Sequence, residues 1–223
     1  EGTIFVRQAQ LRYTNGPWSV SVENPETTVS PYLSGARISS DDNSVPDLTA
    51  RYLHKAAWGH FTVAGMVRQL KYQTPFLDES DTAYAISVSG KWNVGANDDI
   101  RYMVSYGSGI GRYLGLGLGS DALQAADGSL EALAGQGGYV AWRHAFHPKL
   151  RGNLFVSAAS YDNNPLISGL AVTRSARSIH ANLIYTVLPK LEIGAELIHG
   201  NREIESGLDG DLRRLHMHVK YSF

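Results

Sequence analysis

Residues 212–223 read Leu212-Arg213-Arg214-Leu215-His216-Met217-His218-Val219-Lys220-Tyr221-Ser222-Phe223. From Arg214 onward the side chains alternate without a break. Leu215, Met217, Val219, Tyr221 and Phe223 fall on one face, and Arg214, His216, His218, Lys220 and Ser222 on the other. A period of two means a strand, because successive Cβ atoms point to opposite sides of the backbone. One face of this strand suits hydrocarbon and the other suits water. Residues 82–94 repeat the pattern, with Tyr84, Ile86, Val88 and Trp92 against Ala85, Ser87, Ser89, Lys91 and Asn93. Residues 190–197 do so again, with Leu191, Ile193, Ala195 and Leu197 against Glu192, Gly194 and Glu196.

Outward from these segments, eleven such runs can be drawn: 3–14, 17–24, 47–58, 60–72, 82–94, 98–107, 137–147, 149–161, 176–188, 190–200 and 212–223. Each is about nine to twelve residues long, the length a tilted strand needs to cross a bilayer. The links between runs alternate as well. Asn15-Gly16, Trp58-Gly59, Gly95-Ala96-Asn97, His147-Pro148 and Pro189-Lys190 are short, whereas 25–46, 73–81, 108–136, 162–175 and 201–211 are long. Short turns on one side and long loops on the other mark an outer-membrane barrel, and a soluble sandwich has no reason to keep that asymmetry. The expected fold is therefore all-β, an antiparallel transmembrane β-barrel with about 11 strands in one domain spanning 1–223.

Composition is compatible with this and closes off other classes. A net charge of -1 and a pI near 6.8 argue against nucleic acid held by charge. With no Cys there are no disulfides, thiolate metal sites or Cys nucleophile. No stretch approaches the roughly 18 apolar residues of a membrane helix. The mean hydropathy of -0.20 averages over two faces that differ. Aromatics gather beside the short turns: Trp18, Trp58, Trp92, Tyr185, Tyr221 and Phe223 are expected to form the membrane girdle, where amphipathic rings prefer the interface. Strand parity has a consequence too. Phe223 ends a descending strand, and counting back makes 3–14 descend, so at least one rising strand is expected before Glu1 in an even-numbered barrel.

Three passages resemble the DcaP-like porins of Gram-negative bacteria: Val6-Arg7-Gln8-Ala9-Gln10-Leu11-Arg12-Tyr13, Gly16-Pro17-Trp18-Ser19-Val20 and Glu23-Asn24-Pro25-Glu26-Thr27. The end Tyr221-Ser222-Phe223 resembles the general signal by which the barrel-assembly machinery reads outer-membrane proteins. The resemblance implies the later part of a sixteen-stranded, trimeric barrel, integral to the outer membrane among its lipids and lipopolysaccharide. It also implies passive uptake of small organic anions such as dicarboxylates, with no cofactor.

On the water-facing series stand Arg12, Arg51, Lys55, Arg68, Lys91, Arg101, Arg143, Arg151, Arg214 and Lys220, against Glu23, Glu192 and Glu196. These are the expected pore-lining residues. A confined pore of one sign concentrates the opposite ion, which predicts anion preference. The opposing expectation is that these charges pair among themselves or with a loop and leave little net field. Arg7 and His54 fall on the apolar series, which calls for a bulge, an interface position or a slipped register.

An enzyme reading requires a Ser, a His and an orienting group converging on the outer wall, as in outer-membrane lipid hydrolases. His144 and His199 lie on or near the outward series without an aligned Ser, so no catalytic residue is assigned. His216 and His218 lack a carboxylate at metal-site spacing, so no metal is assigned. The glycines of 107–119 do not have the spacing of a phosphate-binding loop and read as flexible; Asp121–Ala126 and Ser129–Leu133 read as short helical turns. A barrel serving as a surface-binding or structural anchor remains an alternative, since 25–46 and 108–136 are long enough to bind a partner.

Overall fold

The computed structural model describes residues 2–223. Its strands are β1 Gln10–Asn15, β2 Trp18–Glu23, β3 Thr27–Ser30, β4 Ile38–Ser40, β5 Asp47–Ala56, β6 Gly59–Thr74, β7 Leu77–Val94, β8 Asp98–Ser108, β9 Ala122–Gln124, β10 Leu130–Ala132, β11 Ala134–His147, β12 Leu150–Tyr161, β13 Thr173–Leu188, β14 Leu191–Ile204 and β15 Asp209–Tyr221. Eleven of them form one antiparallel sheet in the order β1-β2-β5-β6-β7-β8-β11-β12-β13-β14-β15, each strand beside its neighbour in sequence apart from the two excursions. Among the described residues β1 and β15 do not pair, so the sheet is open. The short turns are tight, as at Gly16, whose φ of 57° is a conformation glycine adopts without a Cβ penalty.

Burial is inverted relative to a soluble sheet. Leu11, Val20, Val104, Leu197, Met217 and Val219 are all exposed on one face, with Leu11 at 75% and Val219 at 73%. A contiguous apolar surface of that kind is what a bilayer covers. The opposite face carries Ser19, Ser21, Glu23, Asp47, Arg68, Asp99, Ser105 and Ser157, all buried.

Over β6 and β7 the cover on this face is a second, four-stranded sheet, β10-β9-β3-β4, made from both long excursions. β3 pairs with β4 antiparallel and with β9 in parallel, Val29 opposite Ala122 and Ser30 opposite Leu123. This small sheet lies against the inner face through Val29, Leu70, Ala83, Ala122 and Leu130. A neighbouring cluster of Ile110, Tyr113, Leu114, Leu123, Leu133 and Tyr161 continues the contact. The interior is thus not uniformly aqueous, because two loops fold into it and bring their own apolar residues.

Several expectations need correction. Asp121–Ala126 and Ser129–Leu133 form the β9–β10 hairpin, not helical turns. Segments 73–81 and 201–211 are mostly strand: Thr74 pairs with Leu77 and Glu203 with Asp209, since the backbone ladder continues past the hydrocarbon where side-chain alternation no longer matters. The first run begins as a strand only at Gln10. Residues ahead of it leave the sheet, where Phe5 N–H donates to the Tyr113 carbonyl at 3.0 Å and Ile4 and Val6 pack on the inner cluster. Arg7 therefore belongs to no strand face and stacks over Phe5 at 5.6 Å.

Candidate functional site

Strand register fixes which side chains share the inner face. Arg12 stands opposite Ser21, and Ser21 opposite Thr49; Arg51 stands opposite Ser19 and Ala64. Lys55, His60, Lys91 and Arg101 are direct cross-strand partners across β5 to β8, and Arg143 and Arg151 continue this row through Asp99 and Ala145. Glu192 faces Lys220 and Glu196 faces His216, with Arg214 two residues away on the same series. Every strand cation named above as water-facing is on the face that carries the small sheet.

They do not share one environment. Arg68 is 2% exposed, not open to water as the alternation alone suggests, because the small sheet covers it. Its Nε lies 3.2 Å from Asp47 Oδ2 and its Nη1 3.2 Å from Asp121 Oδ1. The same Nη1 donates to the Gly109 carbonyl at 3.0 Å, and Nη2 donates to the Glu26 carbonyl. Gly109 can approach so closely because it has φ of 68° and no Cβ; a Cβ there would meet that of Ala83 at 2.4 Å. The glycines expected to make this loop flexible instead let it pack.

Arg112, in the loop, adds an ion pair to Glu26 Oε2 at 3.3 Å, and its backbone N–H donates to Asp121 Oδ1 at 2.7 Å. Tyr113 donates its hydroxyl to Asp47 Oδ2 at 2.8 Å and to Glu23 Oε2 at 3.2 Å. Burial first, and then the Asp47 carboxylate, push the Tyr113 hydroxyl up, so it remains a donor. Glu23 is also held by Gln10 Nε2 at 2.6 Å and by the Ser21 and Thr49 hydroxyls. This network ties both long loops to the wall. Buried ion pairs of this kind add little net stability, yet removing one partner is costly.

Away from the small sheet the cations meet water. Asp99 is the shared acceptor of Arg101 at 2.8 Å, Arg143 at 3.3 Å and Lys91 at 3.8 Å, leaving three cations around one carboxylate. Arg151 is bidentate to Glu192 at 2.8 and 2.9 Å. Asp47 and Asp99 were not among the expected inward carboxylates, since Asp47 opens β5 after a long loop and Asp99 is the second residue of β8, beside a short turn. A cavity of about 380 Å³ lies against β1, β2 and β5, lined in part by Arg12, Arg51, Gln8 and Glu23.

On the outer face, Trp18 stacks on Tyr52 at 4.8 Å and His54 on Phe61 at 5.2 Å, so His54 sits in an aromatic patch beside the short turns. Trp92, Tyr185 and Tyr221 are exposed on the same face near those turns, Trp58 is in one of them, and Phe223 follows β15 at 6.2 Å from Tyr221. His144, also outward, places Nδ1 2.8 Å from Asp98 Oδ1, which accepts the Trp142 indole N–H at 2.7 Å.

No protein-family model and no curated protein matches the chain. Among solved structures, the outer membrane channel DcaP of Acinetobacter baumannii matches with a TM-score of 0.83 and 26% identity, over 100% of this chain and 64% of that one. The chain is DcaP-like in structure from end to end. It spans 64% of that channel's length. OmpT, an outer membrane protein of Vibrio cholerae, matches with a TM-score of 0.51 at 9% identity, over 96% of this chain and 63% of that one, a likeness of fold alone. With its exposed apolar belt, this DcaP-like sheet is an integral part of the bacterial outer membrane.

Proposed function

We propose that the protein is a porin, a single β-barrel domain through which small hydrophilic solutes diffuse passively, with a preference for anions such as dicarboxylates. The observation that carries this reading is the row Lys55, Lys91, Arg101, Arg143, where Asp99 is the one carboxylate among the described residues that pairs with several of them. A carboxylate solute meets there a sequence of guanidinium and ammonium groups, and the planar Arg fork suits it well. Arg12, Arg51, Arg151, Arg214 and Lys220 extend the basic lining, and Glu192 and Glu196 temper it. Assembly as a homotrimer, contact with lipopolysaccharide, and delivery by the barrel-assembly machinery through Phe223 belong to the same proposal.

Two folded-in loops favour a constricted pore over a surface anchor, because both long excursions are turned inward and tied to the wall. Planar-bilayer recording under a salt gradient tests the reading. The expected result is steady conductance with a reversal potential of anion-selective sign. Absence of current would favour the anchor, and a cation-selective potential would remove the anion preference.

A further inference from the structure

A second, smaller pocket lies on the long-loop side, apart from the row of cations. It has a volume of about 160 Å³ and is bounded by Arg37, Gly119, Asn163, Thr173 and Arg202. That is room for a group of roughly five waters' volume. Its two guanidiniums arrive from different parts of the chain: Arg37 from the excursion between β3 and β4, and Arg202 from the inner series of β14, opposite Ala176.

Both are held in the same manner. Arg37 donates through Nε to the Gly119 carbonyl at 2.9 Å, and Arg202 donates through Nε to the Thr173 hydroxyl at 2.9 Å. Each anchor is a neutral oxygen, and neither guanidinium is ion-paired with a carboxylate among the described residues. Of the acids beside this rim, Asp121 pairs with Arg68 and Glu203 with Arg174, each at 3.2 Å, and Glu205 accepts from Asn163 Nδ2 at 2.8 Å. The Nε bonds fix the planes of the two groups and leave their terminal NH₂ pairs for another acceptor. Two fixed, uncompensated forks around a small polar space form a receptor for an oxyanion, since Arg binds carboxylate and phosphate oxygens by paired, charge-assisted bonds.

We propose that Arg37 and Arg202 form a binding site for the carboxylate or phosphate group of a small solute, on the long-loop side of the inner face. Capture at this site would precede passage along the row of cations, a role that rests on the porin reading; the binding itself does not. Isothermal titration of the intact, detergent-solubilised protein with inorganic phosphate, and separately with acetate, tests the site and tells the two ligand sources apart. Saturable binding of either anion at one site per chain is expected. R37Q/R202Q should weaken it by about tenfold or more, the loss of at least one charge-assisted bond. The single variants R37Q and R202Q should each weaken it several-fold, and they serve if the double variant does not fold. No saturable heat with either anion, or undiminished binding in the folded variants, overturns the proposal. Potassium chloride conductance of the same preparations reads the pore separately: current without binding removes the site and leaves the porin, and binding without current does the reverse.

Discussion

Arg68 and Arg101 stand on one face of one sheet, on β6 and β8, and have opposite surroundings. The Arg68 side chain has no exposure and touches two carboxylates, Asp47 and Asp121, that are equally sealed. The Arg101 side chain is 50% exposed and shares Asp99 with two other cations. Nothing in their strands separates them. The difference is the small sheet, which covers the first and stops short of the second. Alternation therefore names the face a side chain is on, and the loops decide its dielectric. The first Arg fastens the folded-in loops to the wall; the second stays in contact with water.

The largest effect expected follows from that contrast. Arg68→Ala strands Asp47 and Asp121 without their countercharge and should cost about 3–5 kcal/mol. Arg101→Ala, in water, should cost under about 1 kcal/mol. Urea unfolding in lipid vesicles, followed by Trp fluorescence, gives both values. Equal losses would mean that the inner loops do not seal Arg68 in the bilayer.

Next in size is the contrast between faces. Val88 points outward from the middle of β7, and its neighbour Ser89 points inward, opposite Thr62 and Met103. Val88→Arg places a charge in hydrocarbon and should cost about 2–4 kcal/mol, whereas the same change at Ser89 should cost under about 1 kcal/mol. The unfolding assay ranks them, and a reversed order would exchange the lipid and water faces of the sheet.

Smaller still is the effect of Asp99. Asp99→Asn leaves Lys91, Arg101 and Arg143 without their shared acceptor. One unit charge at roughly 7 Å in a water-like dielectric is worth about 0.6 kcal/mol, or about threefold in local anion concentration. The reversal potential should move toward greater anion selectivity by a corresponding amount. An unchanged potential would place the selective region elsewhere on the inner face.

The strands and their faces were legible because lipid on one side and water on the other leave a period of two that any window can detect, as Leu215 to Phe223 show. The partnership of the excursions was not. β3 and β9 are some ninety residues apart, joined in parallel over Val29–Ala122 and Ser30–Leu123, and three-residue strands such as Ala122–Gln124 are too short to carry a period. Asp47 and Asp99 escaped notice for a related reason: beside a loop or turn, a carboxylate looks like ordinary surface charge until its partners are placed. Arg37 and Arg112 carry no local signal, since their meaning comes from segments distant in sequence. One hint was present in the glycines of 107–119, whose density reflects close backbone approach, as at Gly109, more than mobility.

The finest test concerns the solvent edge of the covered region, where the excursion between β4 and β5 meets β6. Asp42 accepts from the Ser40 hydroxyl at 2.6 Å and from the Gln73 N–H at 2.8 Å. The Ser40 bond first, and then the Gln73 bond, hold its carboxyl below the usual range. A carboxyl depressed in the folded state contributes stability above its unfolded pKa, about 3.9, and loses it as pH falls through the lower folded value. Asp42 is near the surface, so the effect is local and small. Hydrogen exchange at the Gln73 amide should accelerate, relative to the intrinsic rate, below about pH 4, while the Arg68 network beneath remains closed. Simultaneous opening of both would show that the cover is a single cooperative unit and not a fixed centre with a loosely latched edge.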